Sequence, residues 1–374
     1  MKNKNRLSIL ATRLKAIDRH MVHLLALRTR LASEVAMIKV EDNTPLYREG
    51  VETDRLNAVS EWARMDGINP EFARSVLYPI IGESCKRQMT VIDQLRLEGV
   101  AEKFNPTLQE LRQNLISLTD AWALQYDDCY GTGHPATVAF SQYEQSIIDD
   151  NIRALDNNDF VLDLGCATGR ELRRIAHRFK HLQGFDISQS MIEVGRMLNE
   201  DRQLKNLLLH VHDIETKLPL ADNSVSMVIM NCGTGSDVSD ITSTFAEIRR
   251  VLMPGGRFVI SFYNREAWTQ QVFFPWPLGL VAGIDQDRNC LEVYDGTKYV
   301  PIFARPYSLG EIESFIPSHL SILSSATYPT LAAILPPEVI EATNSDGVIA
   351  KIDNAIAQLE TGLGAYIVIS GKKV

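Results

Sequence analysis

Three acidic residues lie at the ends of three short apolar stretches, each of which reads as a buried strand. The first, Asp163, belongs to the motif VLDLGCATGRE, in which Gly165 and Gly169 bracket a tight turn into a helix. Glycines let the backbone of such a turn approach a ligand closely at the carboxyl end of the strand. The next two stretches end in Asp186 and Asp213. Because a carboxylate after the second strand suits the two hydroxyls of a ribose, the pattern predicts a site for a nucleoside-containing ligand.

Two ligand classes fit such a site, dinucleotides and S-adenosylmethionine. A glycine turn followed by an acidic residue about twenty positions later is also typical of dinucleotide sites. GCATGRE departs from the dinucleotide pattern GxGxxG, however, and Glu171 would place a negative charge beside a pyrophosphate at the helix N-terminus. S-adenosylmethionine has no phosphate, so the motif favours a methyl donor.

A second group of polar residues interrupts apolar patterns nearer the N-terminus. Arg28 stands where the heptad of residues 7–38 requires an apolar side chain, and Ser84 and Gln88 fall on the apolar face of a later helix. Arg28 either fixes the register of its helix or meets a carboxylate in an apolar seam. Ser84 and Gln88, if buried, need partners that backbone, water or a ligand can supply.

The elements that carry this second group are predicted to be helices. The apolar periodicity indicates one long helix over 7–38, a second from about residue 50 to 65, and a third that starts at Asn69-Pro70-Glu71 and ends near Leu97. A first helix of about 45 Å cannot bury its stripe against short helices alone. We therefore expect it to pack on a partner chain.

From Ala121 onwards, short strands alternate with helices, which is typical of a parallel sheet covered on both faces. Residues 99–120 are polar and contain Pro106, so they predict a linker with a short helix. The expected domains are thus 1–98, a linker over 99–120, and 121–374. The predicted strands are Phe160–Leu164, His181–Phe185, Leu207–Val211, Val225–Met230 and Arg257–Phe262.

Composition and charge narrow the functional classes. The 374 residues have a net charge of −9, but residues 1–100 hold 16 basic and 13 acidic side chains against 22 and 34 in the remainder. The first segment is therefore the better host for a small anion, and the acidic remainder argues against nucleic acid. No apolar run is long enough for a membrane span, and the five scattered cysteines indicate neither disulfides nor zinc. We expect a cytoplasmic protein without a metal.

Residues 1–98 resemble the all-helical AroQ class of chorismate mutases through LKAIDRHMVHLLALRTRLASEVAMIK, TPLY and INPEFARSVLYPIIGESCKRQM. The resemblance implies a helical homodimer that rearranges chorismate to prephenate without a cofactor, using cations for two carboxylates and donors for the ether oxygen. The site residues that it implies are Arg28 for a carboxylate, Lys39 for the ether oxygen, Glu52 for the substrate hydroxyl, and the polar pair Ser84 and Gln88.

Three positions depart from that family, because Ala11 and Val51 replace arginines and Arg48 replaces an acidic residue. Loss of two cations weakens a site for a dianion, since each charged hydrogen bond contributes about 1.5 to 3 kcal/mol. Arg13 and Arg48 are candidate substitutes. Two alternatives stay open: an isochorismate-pyruvate lyase of the same fold, and an inactive domain for dimerisation or ligand sensing.

Residues 122–374 resemble class I S-adenosylmethionine-dependent methyltransferases through the glycine motif, LPLADNSVSMVIM, FAEIRRVLMPGGRFVIS and AYIVISGKKV. The resemblance implies a Rossmann-like α/β domain whose parallel sheet has an antiparallel last strand. The cofactor-binding residues that it implies are Tyr126 over the sulfonium, Asp163, Gly165, Cys166 and Gly169 at the methionine moiety, Asp186 and Ile187 at the ribose, Asp213 and Ile214 at the adenine, and Asn231 at the amino acid end.

No motif identifies the methyl acceptor. Two aromatic and proline-rich segments, 263–307 and 327–362, interrupt the sheet and would form the substrate cover. Core packing explains these residues equally well. The fusion suggests a small acceptor that is aromatic or a carboxylated derivative of chorismate or prephenate. Further candidates on the acceptor side, each with a structural explanation open, are Tyr130, His134, Asn264 and Arg265.

Overall fold

In the computed structural model, the chain forms two compact units, with the boundary between Asn105 and Pro106. The first unit is helical and the second contains a large sheet. The residues that the structure describes are 2–42, 51–97, 106–128, 135–271, 284, 289–294, 299–335, 340, 347–359 and 361–374.

The described part of the first unit consists of three helices, which are α1 (Lys2–Glu41), α2 (Val51–Met65) and α3 (Pro70–Leu97). Neither glycine nor proline interrupts the 40 residues of α1. α3 begins where the side chain of Asn69 accepts hydrogen bonds from the N–H groups of Glu71 (2.8 Å) and Phe72 (3.3 Å). The predicted all-helical class of this region is confirmed.

Much of the apolar stripe of α1 is exposed. Near its C-terminus α1 packs on α3 through Ala36 and Val40, which contact Val91 and Ile92. Towards its N-terminus, apolar side chains such as that of Leu14, 62% exposed, have no such cover. The described residues of the same chain therefore leave most of this stripe open to solvent.

The second unit is built around a seven-stranded sheet and a separate hairpin. The strands are β1 (Phe160–Leu164), β2 (His181–Asp186), β3 (Leu207–Val211), β4 (Val225–Met230), β5 (Leu252–Tyr263), β6 (Cys290–Tyr294), β7 (Tyr299–Phe303), β8 (Leu320–Tyr328) and β9 (Tyr366–Lys373). The sheet order is β3-β2-β1-β4-β5-β9-β8, and β6 pairs with β7. β1 to β5 are parallel, whereas β9 is antiparallel to both β5 and β8. This confirms the predicted α/β class with its antiparallel last strand.

Helices cover both faces of this sheet. They are α4 (Leu108–Trp122), α5 (Pro135–Arg153), α6 (Arg170–Ile175), α7 (Gln189–Asp201), α8 (Thr234–Asp237), α9 (Ile241–Val251), α10 (Trp268–Gln271), α11 (Leu309–Phe315) and α12 (Val348–Gln358). Val161 of β1 lies in one core with Ile148 of α5, whereas the next residue, Leu162, lies in a second core with Phe245 of α9. Both neighbours are fully buried, as expected of a strand covered on two faces.

α4 occupies most of the segment for which a linker is expected. Thr107 and Glu110 form a capping box at its start. Leu111 and Leu118 are buried on one face, and the side chain of Asn114 donates to the carbonyl of Pro301 at 2.8 Å. A short helix was expected within the linker over 99–120, and α4 lies there. Its polar composition reflects the exposed face of an amphipathic helix that packs within the second unit.

Among the described helices, none combines the length and the apolar character needed to cross a membrane. No disulfide links the described cysteines Cys85, Cys166, Cys232 and Cys290, and Cys129 lies outside the described residues. In the part of the chain that the structure describes, no group of three side chains of the metal-ligating types comes together.

Candidate functional site

The glycine turn after β1 is held by the neighbouring strand. Gly165 and Gly169 have φ angles of 73° and 78°, in the left-handed region that favours glycine. The N–H groups of Gly165 and Cys166 donate to the carbonyl of Phe185 at 2.8 and 3.0 Å. A Cβ atom on Gly165 would come within 2.5 Å of the Thr234 side chain. Both the backbone angle and the packing therefore require glycine at position 165.

Asp186, the last residue of β2, fixes the middle of this turn. Its Oδ2 accepts a hydrogen bond from the N–H of Ala167 at 2.8 Å, and its Oδ1 accepts one from the N–H of Ser188 at 2.9 Å. Ala167 has a φ of 47°, which a residue other than glycine rarely adopts. The carboxyl is half-buried, and burial raises its pKa. Since a carboxylate offers about four lone pairs, it can still accept from a further donor.

Four acidic side chains surround the turn, those of Glu144, Asp163, Glu171 and Asp186. Burial raises the pKa of Asp163 well above its usual range, and the charges of Glu171, Asp186 and Glu144 act in the same direction. Asp163 is 1% exposed, and its Oδ1 has no hydrogen-bond partner among the described residues. Arg174 offsets part of the charge by binding Glu171 at 2.6 Å.

This concentration of carboxyl groups favours a cationic ligand and repels phosphate. S-adenosylmethionine carries a sulfonium and an ammonium group, whereas a dinucleotide carries a pyrophosphate. The surroundings of the turn therefore fit the methyl donor better than the dinucleotide, in agreement with the motif.

The acidic residue after β3 is bound by a side chain that was not among those predicted from the sequence. Arg112 of α4 lies 2.7 Å from Oδ2 of Asp213 and 3.4 Å from Glu215. The Oδ1 atom of Asp213 accepts from the N–H of Glu215 at 3.0 Å. Ile214 packs against one of the two cores. Because β2 and β3 are parallel neighbours, Asp213 lies at the same edge of the sheet as Asp186.

The loop after β4 completes this edge. Cys232 and Gly233, directly after Asn231, have φ angles of 56° and 84°. The N–H of Cys232 donates to the carboxyl of Glu144 at 3.0 Å, and the N–H of Gly233 donates to the hydroxyl of Ser261 at 2.7 Å. Burial raises the pKa of Glu144 to about 7. These bonds hold the backbone next to Asn231 in an otherwise rare conformation.

Residues between α4 and α5 contact the glycine turn from outside the sheet. Tyr126 packs against a small apolar cluster that contains Ala167. The next residue, Asp127, accepts hydrogen bonds from the hydroxyl of Thr168 and the guanidinium of Arg173, both at 2.5 Å. The Arg173 side chain is 1% exposed. Asp127 was not predicted as a site residue, although the acidic pair that follows WALQY in the sequence could have indicated it.

The candidates on the acceptor side have structural partners where they are described. The amide of Asn264 is fully buried and donates to two backbone carbonyls at 2.7 Å. Arg265 donates to the carboxyl of Glu311 at 3.0 Å. Outside the described residues lie Tyr130, His134, Phe273, Phe274 and Trp276.

In the first unit, Lys39, Ser84 and Gln88 lie where α1 and α3 pack together, and each is at most 8% exposed. The hydroxyl of Ser84 donates to the carbonyl of Ile80 at 3.0 Å, and the amide of Gln88 donates to the carbonyl of Ser84 at 3.3 Å. The Oε1 atom of Gln88 is buried without a hydrogen-bond partner among the described residues. Such an atom destabilises the fold unless a ligand donates to it.

Arg28 has a second cation beside it. Burial lowers the pKa of Arg28, and the charge of Arg55 on α2 lowers it further. Two neighbouring guanidinium groups attract an anion. The resemblance would require an arginine at position 51, where this chain has Val51. Arg55 lies four residues further along, so a position-by-position comparison with the family does not reveal this second cation. Outside the described residues lie Arg48 and the side chain of Glu52.

Two family models match the chain. The model for chorismate mutase type II matches residues 10–89, and the model for a methyltransferase domain matches residues 155–293. The first range lies within the first unit, and most of the second range lies within the second unit.

Curated relatives match a shorter part of the chain. A demethylmenaquinone methyltransferase from Symbiobacterium thermophilum is 36% identical over 105 residues, which are 27% of this chain and 41% of that protein. The enzyme of the same name from Clavibacter sepedonicus is 35% identical over 106 residues, 28% of this chain and 41% of that protein. The chain thus spans less than half the length of these relatives.

Similar solved structures include a geranyl diphosphate C-methyltransferase from Streptomyces coelicolor, with 18% identity, a TM-score of 0.43, and coverage of 62% of this chain and 78% of that one. An S-adenosylmethionine-dependent methyltransferase from Clostridium acetobutylicum has 18% identity, a TM-score of 0.45, and coverage of 67% and 98%. Residues 10–89 therefore form a domain of the chorismate mutase type II family, and residues 155–293 belong to a methyltransferase domain.

Proposed function

We propose that the second unit methylates a small acceptor that is aromatic or a carboxylated derivative of chorismate or prephenate. The observation that carries the donor part of this proposal is that Asp163, Asp186 and Asp213 lie together at the carboxyl ends of β1, β2 and β3. When bound, S-adenosylmethionine supplies an electrophilic methyl group on positively charged sulfur. The relatives named demethylmenaquinone methyltransferases add a quinol to the acceptors worth testing.

In this proposal the chain's own residues bind and orient the donor. Asp186, with Ile187 beside it, accepts hydrogen bonds from the ribose hydroxyls, and Asp213 and Ile214 flank the adenine. The backbone of Gly165, Cys166 and Gly169, supported by Asp163, lies along the methionine moiety, with Asn231 at its amino acid end and Tyr126 over the sulfonium. Since the reaction is an in-line displacement, positioning of the two reactants supplies most of the rate acceleration.

Calorimetry tests the donor site. We expect the wild-type protein to bind S-adenosylmethionine and Asp186→Ala to bind it at least about tenfold more weakly, which corresponds to roughly 1.4 kcal/mol. Asp156→Ala, which removes an exposed carboxylate outside the site, is the matched control. Absence of binding to the wild type contradicts the proposal. Product analysis with arylpyruvates, chorismate-derived acids and a demethylated quinol then identifies the acceptor.

We also propose that the first unit binds chorismate and rearranges it to prephenate. Arg28 and the neighbouring Arg55 provide positive charge for the substrate carboxylates, and Lys39 donates to the ether oxygen as its bond breaks. Glu52 binds the substrate hydroxyl, and Ser84 and Gln88 line the same site. The unpartnered Oε1 atom of Gln88 favours an occupied over an empty site.

Loss of the ultraviolet absorbance of chorismate measures this activity. The expected rate exceeds the uncatalysed rate and falls in Arg28→Ala but not in the control Arg30→Ala, whose side chain is exposed. The rival proposal, an inactive module for dimerisation or ligand sensing, is favoured by Ala11 and Val51, which lack the expected charges. This rival predicts no acceleration of the rearrangement of chorismate. A dimerisation module would not bind chorismate, whereas a sensing module would bind it and alter the rate of methyl transfer.

We propose a homodimer that forms through α1. The exposed apolar side chains of Leu7, Leu14, Ile17 and Leu24 form a stripe that a second copy would bury. Sedimentation analysis should give twice the chain mass for the wild type and the monomer mass for a variant with Leu14→Glu and Ile17→Glu. The control Trp62→Glu changes an exposed side chain on α2 instead. A monomeric wild type contradicts the proposal.

We propose a cytoplasmic location, because the five cysteines are scattered along the sequence and do not form the pattern of a disulfide framework. Cell fractionation tests it.

A further inference from the structure

A carboxyl group and a phenol form a pair at the carboxyl ends of β4 and β5. The hydroxyl of Tyr263 donates to Oδ1 of Asp237 at 3.0 Å. Regular structure holds both residues, since Asp237 ends α8 and the N–H of Tyr263 donates to the hydroxyl of Ser236 at 2.8 Å. The ring of Tyr263 also lies against Gly233, where a Cβ atom would collide with it. These contacts restrict the movement of the Asp237 and Tyr263 side chains.

This pair lies one helical turn away from the glycine turn. Thr234, the first residue of α8, packs against Gly165, and Asp237 is the last residue of the same helix. The Tyr263 ring points to the face of the sheet that α5 covers, because it belongs to the same core as Phe140. The pair thus flanks the edge of the sheet that holds the candidate donor site.

Asp237 differs from the other buried acids of this unit in its hydrogen bonds. Glu144 accepts from the N–H of Cys232 and from the hydroxyl of Ser261, and Asp353 accepts from three backbone N–H groups. The Oδ2 atom of Asp237 has no hydrogen-bond partner among the described residues, and the side chain is half-buried. Glu144 and Asp353 support the backbone, whereas Asp237 keeps one oxygen available.

The pKa of Asp237 lies near neutral pH. Burial raises its pKa to about 7, and the hydrogen bond from Tyr263 acts in the opposite direction. Tyr263 is the titratable group that faces Asp237 from the packed elements that the structure describes. General bases work best when their pKa lies near the operating pH.

We propose that Asp237 is the general base of the methyl transfer and that Tyr263 is its positioning residue. This inference rests on the proposed function and adds a substrate class to it. A carboxylate acceptor needs no base at neutral pH, so a base implies that the acceptor atom carries a proton, as in a phenol, an enol or an acidic carbon.

The proton transfer balances without any further reactant. The O–H or C–H bond of the acceptor breaks, its proton moves to Oδ2 of Asp237, and the electron pair stays on the acceptor atom, which becomes the nucleophile. Asp237 is then a neutral carboxylic acid, and it returns the proton to solvent after the product leaves.

Infrared spectroscopy of the full chain without ligands provides a test that needs no turnover. Asp237 and Glu144 both have a pKa of about 7, so we expect two carboxylic acid bands that disappear as the pH rises through this value. The band of Asp237 should be absent from Asp237→Asn and should titrate at higher pH in Tyr263→Phe, because that variant lacks the hydrogen bond that lowers the pKa of Asp237. Asp240→Asn, at an exposed helix cap, is the matched control and should keep the band. A spectrum in which Asp237→Asn removes no titrating band near pH 7 overturns the inference.

Rates of methyl transfer to 4-hydroxyphenylpyruvate, a phenol that is also an enolisable acid, provide the second test. We expect Asp237→Asn to lower kcat about 100-fold or more, with the affinity for S-adenosylmethionine and the KM of the acceptor nearly unchanged. Tyr263→Phe should shift the acidic limb of the pH–rate profile upwards. An unchanged kcat in Asp237→Asn, or a wild type that methylates benzoate-type carboxylates but no phenol or enol, overturns the inference. Failure of the wild type to bind S-adenosylmethionine overturns the proposed function instead.

Discussion

Arg112 of α4 and Asp213 after β3 form an ion pair with an N–O distance of 2.7 Å. The two residues are 101 positions apart, and their contact ties α4 to the edge of the sheet that carries the candidate donor site. α4 therefore belongs to the second unit, and we expect it to contribute to the candidate donor site.

Shortened chains test this role of α4. A protein that starts at Pro106 should unfold cooperatively and bind S-adenosylmethionine, whereas one that starts at Ala123 should be less stable and bind more weakly, because it lacks Arg112 and the buried Leu111 and Leu118. Thermal unfolding and calorimetry measure both effects. The single substitution Arg112→Met should lower the free energy of unfolding by less than about 1 kcal/mol, since both partners of the ion pair are partly exposed. Equal stability of the two shortened proteins would contradict this role.

Substitution of two glycines with similar backbone angles, Gly165 and Gly255, distinguishes the effect of backbone strain from that of steric overlap. Gly165→Ala and Gly255→Ala both place a side chain at a φ of 73° to 78°, which costs roughly 1–2 kcal/mol. A Cβ at Gly255 meets nothing within 4 Å, whereas at Gly165 it meets Thr234. We expect the free energy of unfolding in urea to fall further in Gly165→Ala, and donor binding to be lost in that variant alone. Equal losses of stability would argue against the overlap.

Burial of Glu144 makes stability depend on pH. Its pKa is about 7 in the folded protein against an ordinary 4.5, so the folded state binds more protons between these values. The stability that this group contributes is present below about pH 4.5 and is lost as the pH rises through 7, by an amount on the order of 3 kcal/mol.

Glu144→Gln removes this titration. Urea unfolding at pH 5 and at pH 7.5 should show a smaller decrease in stability for the variant than for the wild type, while both bind Cys232 through a side-chain oxygen. The exposed Glu200→Gln serves as the control and should keep the wild-type difference. An identical difference in Glu144→Gln would show that Glu144 does not set it.

Restoring a missing cation should strengthen the candidate chorismate site. Val51→Arg adds a guanidinium at the start of α2, one turn before Arg55, and we expect chorismate affinity to rise about tenfold, the equivalent of one charged hydrogen bond. Arg55→Met should lower the affinity, and Arg64→Met, at the exposed end of α2, should not. Calorimetry with chorismate measures all three, and a decrease in Val51→Arg would indicate that Arg55 already fills this position.

The sequence predicted the elements better than it predicted the contacts between them. Runs such as VLDL and VSMVIM are apolar at almost every position, which is typical of a strand covered on two faces, so both strands were predicted at their observed bounds. Asp163 and Asp186 could be placed near the carboxyl ends of β1 and β2 because motifs fix them relative to the strands.

Residues that act through distant partners were missed. Arg112 and Asp127 lie in polar segments without a motif, and their partners are 101 and 46 positions away. Asp237 follows β4 closely, but the role that we propose for it depends on Tyr263 at the end of another strand. No local pattern encodes such pairings, because they arise when strands become neighbours in the sheet.

The position of β9 has a consequence for the biosynthesis of this protein. β9 lies between β5 and β8, and Lys373 donates hydrogen bonds to Asn223 and to the carbonyls of Arg249 and Leu252. While the ribosome is still translating the codons before residue 366, the edge of β5 therefore stays unpaired. The helical first unit, with its local contacts, can form early, whereas the sheet cannot be completed before residues 366–373 have been synthesised.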